Sequence, residues 1–238
     1  MARKIERRVP LAPADREALL GLPNLVRRIA AGAHIVRDGD RPDHCTLLLS
    51  GFAFRHKITG NGGRQIIAVH MPGDFLDLQN SLLSVADHNV QALTAAEAAY
   101  IPRDSIRELA YERPAVAVGL WADTLVDSAI FREWVVNVGR RDARARVAHM
   151  LCEFSTRLEA AGLARDRRYE LPMTQEQLAD AVGLTSVHVN RVLRQLGEEG
   201  LIDRQRRVIV ILDWARMRDV GDFNDRYLHL ETQRADRA

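Results

Sequence analysis

The stretch from Met173 to Ile202 constrains this chain more than any other. It reads as two helices joined by a tight turn. Thr174 stands where an N-cap belongs, with Glu176 and Gln177 in the first turn behind it. Leu178, Ala181 and Val182 share one face. Gly183 ends the helix, because the residue just past a helix end often needs positive φ, which glycine adopts at little cost. Thr185 caps a second helix, whose Val189, Val192, Leu193 and Leu196 recur at three- and four-residue steps and predict a buried stripe. Ser186, His188, Asn190, Arg191 and Arg194 remain for its start and outer face. In a helix-turn-helix the N-terminal part of the second helix enters the DNA major groove. Arginine can bond guanine in bidentate fashion and asparagine adenine, so Arg191 and Asn190 are candidate base readers. The plainer alternative is a helical hairpin with a solvated face, but turn, caps and polar tip all agree with the first reading.

The chain has 238 residues, room for two ordinary domains. Its formal net charge is only +2, so it is no polycation. Residues 139–212 carry 13 Arg against 10 Asp and Glu. Electrostatics is therefore weak support for nucleic-acid binding, and the motif carries it. Two distant cysteines, Cys45 and Cys152, predict neither a disulfide framework nor a cysteine-rich metal site. Met1 to Arg8 is basic but lacks the apolar core of a signal peptide, and no run approaches the ~18 apolar residues of a membrane span. The expectation is a cytoplasmic protein without membrane association.

Residues 1–24 read as a polar, loosely ordered arm with a short helix, Pro13 to Leu20. From about Leu25 to Ile101, short apolar runs alternate with turn signals such as Asp38-Gly39-Asp40, Ser50-Gly51 and Asn61-Gly62-Gly63, the pattern of an antiparallel sandwich or barrel. A short helix is expected over Pro102 to Tyr111. A long one starts at Pro114, which suits a first helical turn, and runs to about Val138. Val118, Trp121, Leu125, Ile130, Trp134 and Val138 give it an apolar surface broad enough for burial on two sides. The alternatives are a core helix of a monomer and a dimerisation helix; the breadth favours the second, with Val118, Trp121, Leu125 and Trp134 at the contact.

Gly139 to Asp142 marks a hinge, Ala143 to Glu159 another helix, and Ala160 to Glu170 a polar loop. After Ile202, a hairpin with Arg204, Arg206 and Arg207 near its tip reads as a wing that could neutralise phosphates, or as a solvated turn. Asp213 caps a tail in which Trp214, Met217, Val220, Phe223, Tyr227 and Leu230 follow near-helical spacing, as a packing extension would. The expected domains are a sensor-like β domain over 1–111, the dimerisation helix over 112–138, and a DNA-binding domain with its extension over 139–238.

In this order of elements the chain resembles the Crp/Fnr family of bacterial transcription regulators. The likeness is strongest in Val182-Gly183-Leu184-Thr185 and Val189-Asn190-Arg191-Val192-Leu193, and is supported by Ser50-Gly51 and Pro72-Gly73-Asp74-Phe75. The resemblance implies an α+β fold: an N-terminal antiparallel β jelly-roll like a cyclic-nucleotide-binding domain, a long dimerisation helix and a C-terminal winged helix-turn-helix. It implies a non-enzymatic homodimer on palindromic double-stranded DNA, with half-sites ~34 Å apart, and RNA polymerase as a partner if it activates. Thr174, Gln175, Thr185 and His188 fall where the family touches phosphates, and Ser186, Val187, Asn190 and Arg191 where it reads bases. Val187 stands where a glutamate is frequent.

Gly73, Phe75, Asp77, His88 and Phe131 fall at the family's effector pocket. Relatives that bind cyclic AMP carry a Gly-Glu and an Arg-Ser pair there. Here Asp77 replaces the glutamate, Ala86 to Asn89 has no arginine, and Asp87 would repel a phosphate. The expectation is that cyclic AMP is not bound tightly, that two distant cysteines hold no iron–sulfur cluster, and that the effector is unknown. The competing reading is a haem- or metal-binding β-barrel sensor or enzyme, using His70 and His88, with the helix-turn-helix as an interaction module. The His-X-His and glutamate pattern of metal-binding barrels is absent from the sequence.

Overall fold

The computed structural model describes residues 1–230. The chain divides into two compact units, one chiefly residues 1–57 and 68–128, the other residues 58–67 and 129–229.

In chain order come α1 (Ala2–Glu6) and α2 (Pro13–Leu20), then β1 (Leu25–Ile29), β2 (His34–Val36), β3 (His44–Ser50), β4 (Ala53–Ile58) and β5 (Arg64–His70), whose first four residues are counted with the second unit. A 3-10 turn over Leu78–Ser81 leads to β6 (Asn89–Ala92), β7 (Ala96–Pro102), α3 (Arg103–Glu112) and α4 (Pro114–Arg140). One sheet has the order β1-β7-β3 and the other β2-β6-β4-β5. The order reflects non-local antiparallel pairing: β7 lies between β1 and β3, with Ala99 opposite both Val26 and Leu47.

Alternation along β7 makes it a divider between two cores. Ala96 and Ala98 join Ile29, Leu48, Val36, Ala53, Val90 and Ala92 between the two sheets. Ala99 and Ile101 join Cys45 and Leu47 against Ile106 and Leu109 of α3 and Val116 and Leu120 of α4. Asn61-Gly62-Gly63 turns the β4–β5 hairpin as expected, closed by Thr59 N–H donating to the Gly63 carbonyl.

The N-terminus corrects the expectation of a loose polar arm. Ile5 is buried in the helical core with Leu19. Its seat is made by Gly119 of α4: a Cβ there would lie 2.4 Å from Ile5 Cγ2. Lys4 pairs with Asp74 at 2.7 Å and Asp123 at 2.9 Å, and Arg8 reaches Asp123 at 3.1 Å. The charges are visible locally, but their partners lie far along the chain.

α4 contributes to both units. It is long and apolar enough to cross a membrane by length and composition alone, with a mean hydropathy of 1.3 over its best window, which the sequence reading did not anticipate. Its acidic groups nonetheless belong to a folded unit: Asp123 meets Lys4 and Arg8, and Asp127 meets Arg55 at 2.5 Å. Val118, Trp121 and Leu125 are exposed, Trp121 by 66%. Trp134, expected beside them at a dimer contact, is a correction. It is 4% exposed and its indole N–H donates to Glu153 of the same chain.

The second unit is built round α5 (Ala143–Ala160), whose residues from Val147 to Ser155 are all buried. The hinge region is shorter than expected, since α4 continues through Gly139 and Asp142 already caps α5 by accepting from Ala145 N–H. The polar loop after α5 contains β8 (Arg168–Glu170). Next come α6 (Gln175–Val182), α7 (Ser186–Glu198), β9 (Ile202–Gln205), β10 (Val208–Ile211) and α8 (Trp214–Gly221). The small sheet has the order β8-β10-β9. The tail is not one helix: Asp222 turns left-handed at φ 46°, and a 3-10 turn over Asp225–Leu228 follows. Tyr227 then stacks on His149 of α5, and Phe223 meets the same ring edge-on.

Candidate nucleic-acid interface

The two helices of the motif form for local reasons. Thr174 and Gln177 make a reciprocal capping box: the Thr174 hydroxyl accepts from Gln177 N–H at 3.2 Å, and the Gln177 side chain accepts from Thr174 N–H at 2.8 Å. Thr185 accepts from His188 N–H at 3.2 Å and starts α7. Between them Gly183 takes φ 64°, ψ 43°, the left-handed turn that most side chains resist. Arg146 of α5 donates to the carbonyls of Val182 and Gly183, placing a cation at the negative end of α6. That brace is invisible in the motif itself, because Arg146 lies on another helix.

Packing then decides which face of α7 is outside. Val189, Val192, Leu193 and Leu196 are buried, together with Leu178, Ala181 and Val182 of α6. Val187, Asn190, Arg191 and Arg194 recur at three- and four-residue steps and are all exposed. They form one outward stripe. Val187 is 80% exposed, unusual for an aliphatic side chain on a well-packed helix. Thr185 and Ser186 are exposed at the helix start, and His188 is half-buried. Asn190 Oδ1 accepts from Gln175 Nε2 of α6 at 3.3 Å, a contact that the sequence reading did not anticipate.

The wing stands beside α6. β9 and β10 pair with Val208 opposite Gln205, and Arg206 makes the turn at φ 57°. Arg204 donates to the Arg206 carbonyl, stiffening the tip. Thr174, Gln175, Arg204, Arg206 and Arg207 line a cleft of about 220 Å³ floored by Leu178, Leu193 and Ile209. Three guanidinium groups and the capped start of a helix round one cleft make a seat suited to phosphate oxygens. Gln175 links the two parts, lining this cleft and donating to Asn190 of the α7 stripe.

Of the expected effector residues, Phe75, Asp77 and His88 are buried. In the first unit, Phe75 belongs to the helical core and bridges to Leu47. Gly73 N–H donates to the Leu48 carbonyl. Asp77 is fully buried and accepts from Thr46 N–H at 2.5 Å and the Thr46 hydroxyl at 3.0 Å. Asp77 therefore braces the fold rather than lining an open pocket, and burial pushes its carboxyl up to about 6. His88 is buried beside Asp87 and Gln79, and burial lowers its pKa. Phe131 lies in the second unit and is exposed. Among the described residues no group of three or more His, Cys, Asp or Glu is arranged to hold a metal.

Comparison with known proteins yields two family matches, the Crp-like helix-turn-helix domain over residues 145–220 and the cyclic nucleotide-binding domain over residues 26–112. The nitrogen fixation regulation protein FixK of Bradyrhizobium diazoefficiens is 30% identical over 210 residues, 85% of each chain. The transcriptional activator protein FnrL of Cereibacter sphaeroides is 28% identical over 228 residues, 93% of this chain and 91% of its own. The solved structure of FixK2 from Bradyrhizobium japonicum superposes with a TM-score of 0.78 at 26% identity, covering 84% of this chain and 98% of its own.

Proposed function

Because this chain belongs to the Crp/Fnr family of transcription regulators, we propose that it acts as a homodimer that binds a palindromic double-stranded DNA site, with α7 of each subunit in a major groove. The observation that carries this reading is the outward stripe of α7, in which Asn190, Arg191 and Arg194 stand exposed while the opposite face is packed. Arg191 bonds a guanine edge, and Thr174, Thr185, His188, Arg204 and Arg206 hold phosphates on either side. The exposed Val118, Trp121 and Leu125 of α4 form the subunit contact, which sets the two recognition helices about one DNA turn apart, ~34 Å.

The relatives named as activators support a role in activation, with RNA polymerase as second partner, in the cytoplasm and without catalysis. The β domain is proposed not to bind cyclic AMP tightly, a reading supported by Asp77 being engaged by Thr46 and by the lack of an arginine in Ala86 to Asn89. An effector acts only through its differential affinity for two arrangements of the chain, and its identity is open to ligand screening.

The test is selection from a random duplex pool followed by fluorescence anisotropy. An inverted-repeat site is expected, and Arg191→Ala should weaken it by about 10- to 100-fold, the worth of one bidentate base contact. Absence of a selected repeat, or an unchanged affinity for the Arg191→Ala protein, would overturn the reading. Isothermal titration with cyclic AMP should give no micromolar binding.

A further inference from the structure

Three features of the helix-turn-helix are left over once Arg191 and the phosphate contacts are assigned: a bare valine at the tip of α7, an asparagine one turn on, and the glutamine that holds it. We propose that Val187, Asn190 and Gln175 together read an A·T base pair, Asn190 bonding the adenine, Val187 covering the thymine methyl, and Gln175 setting the orientation of Asn190. The proposal rests on the DNA-binding reading above and specifies the base pair it recognises.

Val187 offers no hydrogen bond, so a groove surface complementary to it must be apolar. In the major groove the thymine C5-methyl is the one projecting apolar group; apart from the flat C–H edges of cytosine C5 and purine C8, the atoms presented there are donors or acceptors. Placing a valine against a cytosine amino group or a guanine carbonyl would strand a polar atom away from water. A side chain that is 80% exposed in the free chain and borne on the reading stripe therefore favours thymine by attraction and the other bases by exclusion.

Asn190 lies three residues on, one turn along the same face. Its Oδ1 has two lone pairs, one taken by Gln175 Nε2 at 3.3 Å. The other lone pair and the Nδ2 hydrogens remain, an acceptor and a donor side by side. Adenine presents the complementary pair, the N6 amino donor beside the N7 acceptor; guanine presents two acceptors. Gln175 Nε2 has a second hydrogen, and its side chain lines the cleft with Arg204, Arg206 and Arg207. That hydrogen is available to a phosphate oxygen held there, so one amide ties backbone position to base reading. Without Gln175 the Asn190 amide is free to turn over and present its donor first to guanine. Gln175 is thus a positioning residue, and Val187 and Asn190 determine specificity.

The experiment uses the selected duplex with single-atom changes, read by anisotropy at fixed salt. Each thymine is replaced in turn by deoxyuridine, which lacks only the methyl, and each adenine by 7-deazaadenine, which lacks only the N7 acceptor. In each half-site one thymine should cost the native protein about threefold when demethylated and cost Val187→Ala nothing. The adenine paired with it should cost about tenfold as 7-deazaadenine, and cost Asn190→Ala nothing. Gln175→Met should shrink the adenine discrimination, and Gln175→Lys, which restores a donor of similar reach, should recover it. A site that depends on Arg191 but shows no Val187-dependent methyl effect or no Asn190-dependent N7 effect overturns this inference alone. So does a Gln175→Met protein that binds all sequences more weakly with its base preferences intact. A native protein that selects no site overturns the DNA-binding reading with it.

Discussion

The indole nitrogen of Trp134 donates to both carboxylate oxygens of Glu153, at 3.1 and 3.0 Å, where neither side chain reaches solvent. The same carboxylate accepts from the Tyr227 hydroxyl at 2.8 Å and from Arg157 at 3.1 Å. One buried charge thus joins α4, α5 and the C-terminal extension. A buried carboxylate is tolerated when every lone pair is used, and removing one partner strands the rest. Glu153→Ala should therefore destabilise the protein by about 3 kcal/mol or more in urea denaturation followed by circular dichroism. Trp134→Phe, which leaves Tyr227 and Arg157 in place, should cost about 1 kcal/mol for its hydrogen bond, plus the packing lost with the larger ring. Equal small losses would show that the cluster is not cooperative.

The exposed side of α4 carries the proposed subunit contact. Replacing Trp121 and Leu125 with aspartate should convert the proposed dimer to monomer in sedimentation velocity while the thermal midpoint of the single chain changes little, since both side chains are more than half exposed. Affinity for the palindromic duplex should fall with it, because the second half-site is then no longer tethered. A double variant that sediments as native would move the contact elsewhere.

At the N-terminus, Gly119→Ala would put a methyl group where Ile5 now sits, 2.4 Å from its Cγ2. The substitution should release α1 while improving the helix propensity of α4. Hydrogen exchange should rise over residues 2–9, with the β core unchanged. Unchanged protection there would mean that Ile5 finds another seat.

The buried Asp77 gives the first unit a pH dependence. Burial lifts its carboxyl to about 6 against the opposing pull of the Thr46 hydrogen bonds, from a usual value of 3.8. A raised folded value stabilises the fold fully below the unfolded pKa and is lost as pH rises through about 6. The stability of the native protein relative to Asp77→Asn should therefore decline between about pH 4 and pH 7, by up to about 3 kcal/mol at 1.36 kcal/mol per unit. A difference independent of pH would show that this carboxyl titrates alike in the folded and unfolded chain.

Both thiols are shut away. Cys45 and Cys152 are free and fully buried, and burial pushes the Cys152 thiol up to about 12. Neither should react with Ellman's reagent in the native protein at neutral pH, and both should react promptly in denaturant. A fast native phase would reveal local opening round one of them.

Much of the fold was legible locally. Helix ends over Pro13–Leu20, the capped α6 and α7 and the Asn61-Gly62-Gly63 turn follow from side chains within four residues of where they act, and the outward stripe of α7 follows from the spacing of its buried opposite. The misreadings share a cause. The arm of residues 1–24 looked polar because Asp74 and Asp123, the partners of Lys4, lie 70 and 119 residues away. Trp134 looks like an interface residue because it continues the apolar run of α4 that contains Trp121, yet thirteen residues on it has turned about 140° round the helix, and Glu153 holds it inward. Asp77 looked like a ligand contact by position alone, and only β3 brings Thr46 to it.

By itself the amino-acid order determined the secondary elements, their sequence along the chain, and the side chains that α7 presents outward, since each depends on backbone preferences and periodicities acting over one or two turns. Tertiary structure decided which apolar positions of α4 are buried within the chain and which stay exposed, which carboxylates are consumed within the fold, and how Gln175 comes to hold Asn190. Those outcomes depend on distances between residues remote in the chain, and on the burial of charge that only the packed chain imposes.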